Sequence, residues 1–496
     1  MSKQNLQPLI YALLIITGIL IGTEITKKQS NNQNEKINNI INLIETHYVD
    51  TVDTKQIQES LINSILTDLD PHSTYINAEN FTSIEEDMQG SFSGIGIQFN
   101  IINDTIIVIA AISGGPSEKL GIISGDRIIN VENENVASIK IKNQDVINKL
   151  RGEKGSIVNV TIYRPEEKRL LQFSIKRDDI PLYSIDVSMM LKEDIGYIKL
   201  NRFSATTYNE FKKAINKLIK KEMKKLILDL RGNPGGYLGM AISICDEILN
   251  EDHLIVYTEG RNRKRENIYA TTNGELKSTE IVVIIDEGSA SASEIVAGAI
   301  QDNDRGIIIG RKSFGKGLVQ EQINLDDGSV VRLTTQRYYT PSGRCIQKKY
   351  NNNKQDTVEY NTKEGRNVYA GGGISPDVLI KYDKQLDYSQ INFILSQGWI
   401  REYAINKSLY FKKKREFNSE KQFIETKNTK EIYNEFLLFI KEKDSNLKLN
   451  SGSTETAYLQ TLLKASIARN IFGEESYYQI LNEKDIFIQE AILHLN

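Results

Sequence analysis

The periodicity of apolar residues changes three times along the chain, and these changes predict how it divides into domains. Apolar residues recur at helical spacing from Ile37 to Leu69, at strand spacing from about residue 90, and in alternating strand and helix patterns from residue 179. Beyond Tyr382 the pattern becomes helical and charged. A chain of 496 residues is also too long for one hydrophobic core. The sequence therefore predicts a multidomain α+β protein, with helical regions flanking a strand-rich unit and an α/β core.

The balance of charge and the cysteine content argue against several classes of function. The chain has 62 basic and 65 acidic side chains and a net charge of −3, which gives no overall electrostatic reason to bind nucleic acid. The two cysteines, Cys245 and Cys345, form no C-x-x-C motif, so neither a zinc site nor a dithiol redox centre is predicted. Whether they pair is left open, because a disulfide requires a Cα separation below about 7 Å.

The first 30 residues differ from the rest of the chain. No charged residue occurs from Gln4 to Thr23, and Leu9 to Gly22 is almost wholly apolar, a length between that of a signal-peptide core and that of a membrane-spanning helix. No Ala-x-Ala-like cleavage site follows, so an uncleaved signal anchor is favoured over a cleaved signal peptide. We expect a membrane-anchored protein of the cell envelope, with its folded part on the periplasmic side.

The strand-rich unit, residues 89–178, carries an ordered set of glycine motifs. Ser93-Gly-Ile-Gly-Ile-Gln-Phe99 is followed by Leu120-Gly-Ile122 and Gly125-Asp-Arg-Ile128. On these residues the unit resembles a PDZ domain, in which backbone amides of a glycine-containing loop bind a peptide's C-terminal carboxylate while the peptide adds a strand to the sheet edge. The alternative is a β-turn with ordinary glycines. The resemblance implies that four residues bind peptide: Gly94, Ile95, Gly96 and Ile97.

Known catalytic motifs narrow the chemistry of the α/β core. The sequence contains neither H-E-x-x-H nor G-x-S-x-G, and of its four histidines only His253 lies in this core, which disfavours a Ser-His-Asp triad. We interpret His253 as a solvated loop residue. The segment from Gly310 to Lys316 satisfies most of a phosphate-binding loop, but Gly317 stands where a magnesium-binding hydroxyl is needed. Ser313 to Lys316 also fits S-x-x-K, without the S-D-N or K-T-G of penicillin-recognising enzymes.

Three segments after predicted strands offer the parts of an acyl-transfer site. Leu230 to Gly236 is a glycine-rich loop whose backbone N–H groups can line an oxyanion hole. Ser291 precedes a predicted helix, where free N–H groups favour negative charge. Lys316 lies in glycine-rich backbone, as a buried base would. The alternative for Ser291 is a capping box with Glu294. The residues alone leave open which of three alternating serines is reactive: Ser289, Ser291 or Ser293.

Six segments carry a wider resemblance. They are Asp70–Tyr75, Leu228–Gly236, Gly288–Ile295, Phe314–Gln320, Thr340–Arg344 and Gly373–Asp377. In this order the chain resembles C-terminal processing peptidases, also called tail-specific proteases, over about residues 37 to 380. The resemblance implies a ClpP/crotonase-like α/β peptidase core with an inserted PDZ-like β domain. The predicted divisions are 1–30 (signal anchor or signal peptide), 31–88 (helical), 89–178 (PDZ-like), 179–380 (serine peptidase core) and 381–496 (helical, of unknown role).

The resemblance also assigns roles to residues. It implies that Ser291 is the nucleophile, that Lys316 is its base, and that Gln320 orients the lysine. The oxyanion hole would use the N–H groups of Ala292 and Gly236, with Gly235 an alternative. A free lysine has a pKa of about 10.4, so burial must lower the pKa of Lys316 before it can accept a proton. This chemistry needs no metal and no organic cofactor.

Two features depart from the family pattern outside these residues. Cys345 stands where the family usually has serine, and the segment from Lys348 to Gly372 separates motifs that are often adjacent. The departures leave the implied catalytic residues intact.

The function expected from the sequence is a serine endopeptidase that uses a Ser–Lys dyad to cleave polypeptides whose exposed C-termini are captured by the PDZ-like unit. Two alternatives belong to other classes: a catalytically silent PDZ scaffold, and a Ser–Lys acyl-transfer enzyme acting on cell-wall peptides. The expected partners are polypeptide substrates and, through the N-terminal segment, a membrane, with no nucleic acid. The sequence leaves open whether the chain forms a homo-oligomer or uses an adaptor.

Overall fold

A computed structural model describes residues 11–18, 36–112, 114–350, 358–383, 388–417, 419–426, 429–445, 447 and 453–496. The chain divides into two compact units, Met1–Asn77 with Gln322–Thr334, and Ala78–Glu321 with Thr335–Asn496. Most of the predicted signal anchor lies outside the described residues. Among the residues that are described, no helix has the length and apolar character needed to cross a bilayer.

The first unit is helical near its N-terminus. Its described elements are helices at 11–18 (α1), 36–47 (α2) and Thr54–Leu69 (α3), and a strand at Thr74–Ile76 (β1). Asp70 ends α3 and forms a turn, because its carboxylate accepts hydrogen bonds at 2.8 Å from the backbone N–H groups of His72 and Ser73. The strand that follows pairs antiparallel with Val330–Arg332.

The second unit begins with a helix and the strand-rich region. In chain order its elements are Ala78–Gln89 (α4), Ser91–Gly94 (β2), Ile97–Ile102 (β3), Thr105–Ala111 (β4), Pro116–Lys119 (α5), Arg127–Val131 (β5), Glu134–Asn135 (β6), Asn143–Leu150 (α6), Ile157–Arg164 (β7), Arg169–Lys176 (β8) and Asp178–Pro181 (β9). An antiparallel sheet has the order β3-β4-β5-β7-β8, and β2 pairs with β9. Alternate residues of β7 are buried in the same apolar core as Val146 and Leu150 of α6.

The apolar pattern of this region predicts one strand from Ser93 to Asn103 and another from Val131 to Val136, and the structure interrupts both. The strand predicted from Ser93 to Asn103 is interrupted because Gly96 has a φ of 72°, which is incompatible with a strand. The segment from Val131 to Val136 contains the end of β5, a tight turn and the two-residue strand β6. Glu132 and Asn133 both adopt positive φ there, 48° and 66°, as in the hairpin turns that match strand twist.

The α/β core follows. Its elements are Ile185–Met190 (β10), Ile195–Leu200 (β11), Thr207–Ile219 (α7), Lys225–Asp229 (β12), Leu238–Ile248 (α8), Leu254–Gly260 (β13), Arg263–Tyr269 (β14), Glu280–Ile285 (β15), Ala292–Asp302 (α9), Ile307–Gly310 (β16), Leu318–Asn324 (β17), Val330–Tyr339 (β18), Glu359–Asn361 (β19), Asn367–Tyr369 (β20) and Val378–Leu379 (β21). The main sheet has the order β10-β11-β12-β15-β16-β21 and is parallel except for β10. The alternation of strands and helices that the sequence predicts for this region is present.

The remaining helices form a cluster near the C-terminus. They are Tyr388–Ser396 (α10), Trp399–Lys414 (α11), Glu420–Glu425 (α12), Thr429–Lys443 (α13), Ser453–Phe472 (α14), Glu474–Asn482 (α15) and Ile486–Leu495 (α16). Buried aromatic residues such as Phe423 and Phe436 form the core of this cluster. The last helix is different, because its Phe487, Ile488 and Leu495 pack on the main sheet of the α/β core.

Candidate functional site

Three neighbouring parallel strands position the candidate site. β12, β15 and β16 end at Asp229, Ile285 and Gly310 at the same edge of the sheet. The loops that leave these ends carry the glycine-rich segment, the three serines and Lys316. Sites in open α/β folds form at the carboxyl ends of parallel strands, where such loops converge.

The three alternating serines differ in what their hydroxyls bind. Ser289 is fully buried, donates to the Leu230 carbonyl at 2.9 Å, and accepts the N–H of Asp286 at 2.9 Å. Ser293 is also fully buried and donates to the Asn233 carbonyl at 2.9 Å. Ser291 is only half-buried, and its side chain makes no capping hydrogen bond. Two hydroxyls therefore attach the segment to the glycine-rich loop, while the third does not.

The backbone of Ser291 is strained. Its φ of 56° and ψ of −111° lie outside the regions that residues with a Cβ ordinarily adopt. Such strain persists only where surrounding contacts hold it, and it recurs where a nucleophile projects from a sharp strand-to-helix turn. Ser291 and Glu294 are arranged as in the predicted capping box, in which Glu294 Oε2 accepts the Ser291 N–H at 2.8 Å. The N–H of Glu294 bonds to the Ser291 carbonyl at 2.9 Å.

Lys316 and Gln320 are in direct contact. The ammonium or amine Nζ of Lys316 lies 2.8 Å from Gln320 Oε1, and both side chains are half-buried. Gln320 lies on β17, four residues after the lysine, so the start of this strand fixes the amide relative to Nζ. Gly315 has a φ of 92°, and a Cβ there would lie 2.9 Å from the carbonyl carbon of Gly372. Glycine is therefore required immediately before the lysine.

Glu294 connects the serine to the lysine. Its fully buried carboxylate accepts the N–H of Ser291 at 2.8 Å and the N–H of Lys316 at 2.9 Å on the same oxygen, Oε2. Its other oxygen accepts the Gly315 N–H at 2.8 Å and the Ser313 hydroxyl at 2.5 Å. Burial raises the pKa of Glu294, although the four hydrogen bonds act in the opposite direction. From the sequence, this residue was interpreted only as a capping partner.

Tyr338 makes a second connection, which the sequence analysis missed. Its buried hydroxyl lies 2.6 Å from the Lys316 carbonyl and 3.1 Å from the Ser291 carbonyl. One hydroxyl has one proton, so the nearer carbonyl is its principal acceptor. Burial, and then the charge of Glu294, raise the pKa of Tyr338, so the hydroxyl stays a donor. No motif could have identified Tyr338, because it lies 22 residues beyond Lys316 on β18.

Two of the N–H groups predicted for the oxyanion hole have no backbone acceptor among the described residues. Within the described part of the chain, neither Ala292 nor Gly236 donates a backbone hydrogen bond. The N–H of the alternative, Gly235, donates to Asn233 Oδ1 at 2.9 Å. A Cβ on Gly235 would lie 2.8 Å from Ser291 Cβ and 2.9 Å from Ala292 N, which only glycine avoids. Of the three predicted donors, Gly235 is therefore already hydrogen-bonded, and Gly235 also places the glycine-rich loop against Ser291.

Asp229 fixes the start of the glycine-rich loop. The carboxylate is fully buried and accepts hydrogen bonds from the Arg231 guanidinium, from Lys199 Nζ at 3.1 Å and from the Tyr197 hydroxyl at 2.9 Å. Burial acts to raise the pKa of Asp229, but the charges of Arg231 and Lys199 outweigh it and lower the pKa overall. Arg231 also pairs with Asp485, next to α16, at 2.8 Å.

The residues predicted to bind peptide run from Gly94, the last residue of β2, through Ile95 and Gly96 to Ile97, the first residue of β3. Ile95 is almost fully buried, and its carbonyl accepts the N–H and the hydroxyl of Ser117 at 3.1 and 2.5 Å. The Gly96 carbonyl accepts the Ile112 N–H at 2.9 Å. The N–H groups of Ile95 and Gly96 donate to no backbone acceptor in the described residues. Ile97 begins β3, which is one of the two end strands in the order of its sheet.

The remaining sequence candidates lie apart from these contacts. His253 precedes β13 and is half-buried, and burial, followed by the charges of Lys363 and Arg305, lowers its pKa. Cys245 and Cys345 are both free thiols. In the residues that the structure covers, no cluster of three or more histidine, cysteine or acidic side chains is arranged to hold a metal ion.

Three family profiles match the chain in the order of its elements. Residues 20–80 match the N-terminal domain of the activating protease CtpB, residues 93–176 match a PDZ domain, and residues 194–359 match peptidase family S41. These matches cover most of the chain that precedes the C-terminal helices.

Curated proteins show the same likeness. The chain is 34% identical over 397 residues to a carboxy-terminal-processing protease of Bartonella bacilliformis, covering 78% of this chain and 85% of that protein. It is 37% identical over 318 residues to the carboxy-terminal processing protease CtpB of Bacillus subtilis, covering 64% and 66%. Among solved structures, a photosystem II D1 C-terminal processing protease is 25% identical, with a TM-score of 0.38 over 69% of this chain and 86% of that one.

Proposed function

Because the chain belongs to the carboxy-terminal processing proteases of peptidase family S41 and contains a PDZ domain, we propose that it cleaves polypeptides near exposed C-terminal tails with a Ser291–Lys316 dyad. The observation that carries the proposal is the shared contact with Glu294, whose Oε2 accepts the N–H groups of both residues at 2.8 and 2.9 Å. The strained backbone of Ser291 and the half-buried position of its side chain support the choice of this serine.

The chemistry is acyl transfer. Neutral Lys316 accepts the hydroxyl proton as Ser291 Oγ attacks the peptide carbonyl carbon. The N–H groups of Ala292 and Gly236 stabilise the oxyanion of the tetrahedral intermediate. The lysine then gives its proton to the departing amine, and an attacking water hydrolyses the acyl-enzyme with Lys316 again as base. Gln320 Oε1 accepts an N–H from Nζ, which orients the lone pair without the charge of a carboxylate.

The PDZ domain supplies the substrate's C-terminus. Peptides bind such domains by adding a strand to an unpaired sheet edge while backbone N–H groups hold the terminal carboxylate. Edge strand β3 supports this mode of capture, as do the N–H groups of Ile95 and Gly96, which donate to no backbone acceptor in the described residues.

The apolar N-terminal segment from Leu9 to Gly22 supports a membrane-anchored enzyme facing the periplasmic side. Fractionation of cells that express the full chain tests this placement.

The proposal is tested by cleavage of an unstructured peptide with a free C-terminus. Ser291→Ala and Lys316→Ala should each lower the rate by a factor of at least about 1,000, because nucleophile and base act as one unit. Unchanged circular dichroism spectra would show that the variants still fold. Cleavage at the wild-type rate by either purified variant would contradict the dyad. Labelling of Ser291 by a β-lactam without cleavage of peptides would instead favour an acyl-transfer enzyme of the cell wall.

A further inference from the structure

The last helix, α16, begins beside the glycine-rich loop of the candidate site. Asp485 immediately precedes this helix and caps it, because its Oδ1 accepts the Phe487 N–H at 2.9 Å. The other oxygen, Oδ2, lies 2.8 Å from Nη1 of Arg231, two residues beyond the end of β12. One carboxylate therefore binds the start of the helix and the start of the loop at the same time.

The aromatic ring of Phe487 contacts arginines from two loops of the site. The guanidinium carbon of Arg231 lies 4.7 Å from the ring centroid, and that of Arg311 lies 5.1 Å from it. Arg311 directly follows β16 and begins the segment 311–317, the lysine loop, which carries Lys316. A guanidinium over an aromatic face is held by electrostatic attraction as well as by packing. One buried ring thus contacts the first part of both loops.

Apolar packing holds α16 on the strands from which these loops leave. Phe487 and Ile488 are buried in one core with Ile227, Ile284 and Ile309. The last three residues lie on β12, β15 and β16, whose carboxyl ends carry the glycine-rich loop, the serine segment and the lysine loop. The position of α16 is therefore fixed relative to all three segments of the candidate site.

The glycine-rich loop connects Arg231 to the backbone around Ser291. Two residues after the arginine, the carbonyl of Asn233 accepts the Ala290 N–H at 3.0 Å and the Ser293 hydroxyl at 2.9 Å. These two donors lie on either side of Ser291, within two residues of it. A change in the position of this loop would therefore displace the backbone on both sides of the proposed nucleophile.

The contacts of α16 come from a region that the peptidase family profile does not include. That profile ends at residue 359, so Arg231 and Arg311 lie inside it while Asp485 and Phe487 lie outside it. The sequence analysis left the role of residues 381–496 open. The ion pair and the ring contacts join this region directly to the candidate site.

We propose that α16 is a positioning element of the peptidase. Asp485 and Phe487 hold Arg231 and Arg311, and through them the glycine-rich loop and the lysine loop, in the geometry that the reaction requires. Both residues act through the arginines rather than on the substrate. The inference rests on the proposed peptidase function, and it assigns to the C-terminal region an effect on the rate of the chemical step rather than on peptide capture.

Asp485→Asn tests the proposal in the full-length protein. Asparagine retains an oxygen that caps α16, but it removes the charge that pairs with Arg231. The variant should lower kcat for an unstructured peptide about 10- to 100-fold, because small displacements of reacting groups have large effects on rate. KM should stay within about twofold of the wild-type value, since substrate binding is not the step affected. The control Glu490→Gln removes one charge from the same helix, where Glu490 lies 3.3 Å from His494, and should leave kcat unchanged.

Phe487→Leu separates the ring contacts from the apolar packing. Leucine keeps an apolar side chain in the core but removes the aromatic face from both arginines, so kcat should fall about tenfold. Deuterium exchange gives a second readout that needs no cleavage. In Asp485→Asn, backbone amides of residues 230–236 should exchange at least about tenfold faster than in the wild type, whereas those of β14 should not change.

Three results would overturn the proposal. They are a wild-type kcat in both Asp485→Asn and Phe487→Leu, equal losses of kcat in Asp485→Asn and Glu490→Gln, and a lowered stability of Asp485→Asn with wild-type kcat and exchange. Failure of the proposed function has a different signature. Cleavage at the wild-type rate by Ser291→Ala would contradict the dyad, while the exchange of residues 230–236 would still show whether α16 positions the loop.

Discussion

Ser291 differs from its two neighbours in burial, in hydrogen bonding and in backbone conformation. Ser289 and Ser293 are fully buried and hydrogen-bonded to the glycine-rich loop, whereas Ser291 combines a half-exposed side chain with a φ of 56°. The sequence could not distinguish the three, since all share the same spacing and residue type. The distinction depends on tertiary contacts with Asn233 and Leu230, about 60 residues earlier in the chain.

Substitution of the neighbouring serine should affect stability rather than chemistry. Ser289→Ala leaves the Asp286 N–H without its acceptor and should lower the free energy of unfolding by about 1–3 kcal/mol, while the folded variant retains cleavage. Ser291→Ala should change stability by less than about 0.5 kcal/mol and remove cleavage. Denaturant unfolding and peptide hydrolysis, measured on both variants, check the contrast. Loss of cleavage by fully folded Ser289→Ala would contradict these roles.

The end of strand β12 depends on a buried ion cluster. Asp229, Arg231 and Lys199 form it, and it anchors the first residue of the glycine-rich loop. The motif containing Asp229 and Arg231 is visible in the sequence, but Lys199 comes from the adjacent strand and could not be paired with them in advance.

Acid should weaken this cluster. The pKa of Asp229 in the fold lies below its unfolded value of about 3.9, so its stabilisation is complete above about pH 4 and is lost as the pH falls through that value toward the folded pKa. Asp229→Asn should therefore lower the free energy of unfolding by about 3–5 kcal/mol at pH 7. The difference between variant and wild type should shrink from pH 4 to pH 3 in denaturant titrations. A difference that grows on acidification would have the wrong sign for this account.

The edge strand β3 and the loop before it form the element on which peptide capture depends. A Cβ at Gly96 would lie 2.9 Å from Ile180 Cδ1, so Gly96→Ala should displace the loop and weaken binding of a peptide with a free C-terminus at least tenfold. Gly121→Ala is a matched control, because Gly121 also has positive φ but nothing within 4 Å of a Cβ. Fluorescence anisotropy of a labelled peptide measures both. If both variants lose the same amount of peptide affinity, the weaker binding would come from backbone strain and not from a displaced loop.

At the scale of the whole molecule, the predicted fold class and the family are confirmed, while the placement of the last helix was not anticipated. The alternation of strands and helices from residue 195 to 310 was readable because its strands are continuous apolar runs. Strand β14, Arg263–Tyr269, was missed because its exposed, charged sequence has no strand pattern. Helix α16 was assigned to a separate helical region, since its packing on the main sheet joins residues more than 100 positions apart in the chain.

The contribution of α16 to stability can be measured by truncating one buried and one exposed side chain of this helix. Ile488 is buried against the sheet, and Ile488→Ala should cost about 2–5 kcal/mol of stability. Leu493 on the same helix is 67% exposed, and Leu493→Ala should cost less than about 0.5 kcal/mol. Thermal unfolding of the full-length variants checks both. Similar unfolding temperatures for the two would mean that α16 does not cover the sheet in solution.

The central claim, that Ser291 is activated by Lys316, is tested most directly by locating the acyl group on the enzyme. Protein mixed with an activated-ester peptide is quenched with acid, digested and mapped by mass spectrometry. The account predicts one acylated residue, Ser291, and at least a 100-fold slower acylation in Lys316→Ala. An acyl group on Ser289, Ser293 or any other residue, or equal acylation rates in wild type and Lys316→Ala, would contradict it.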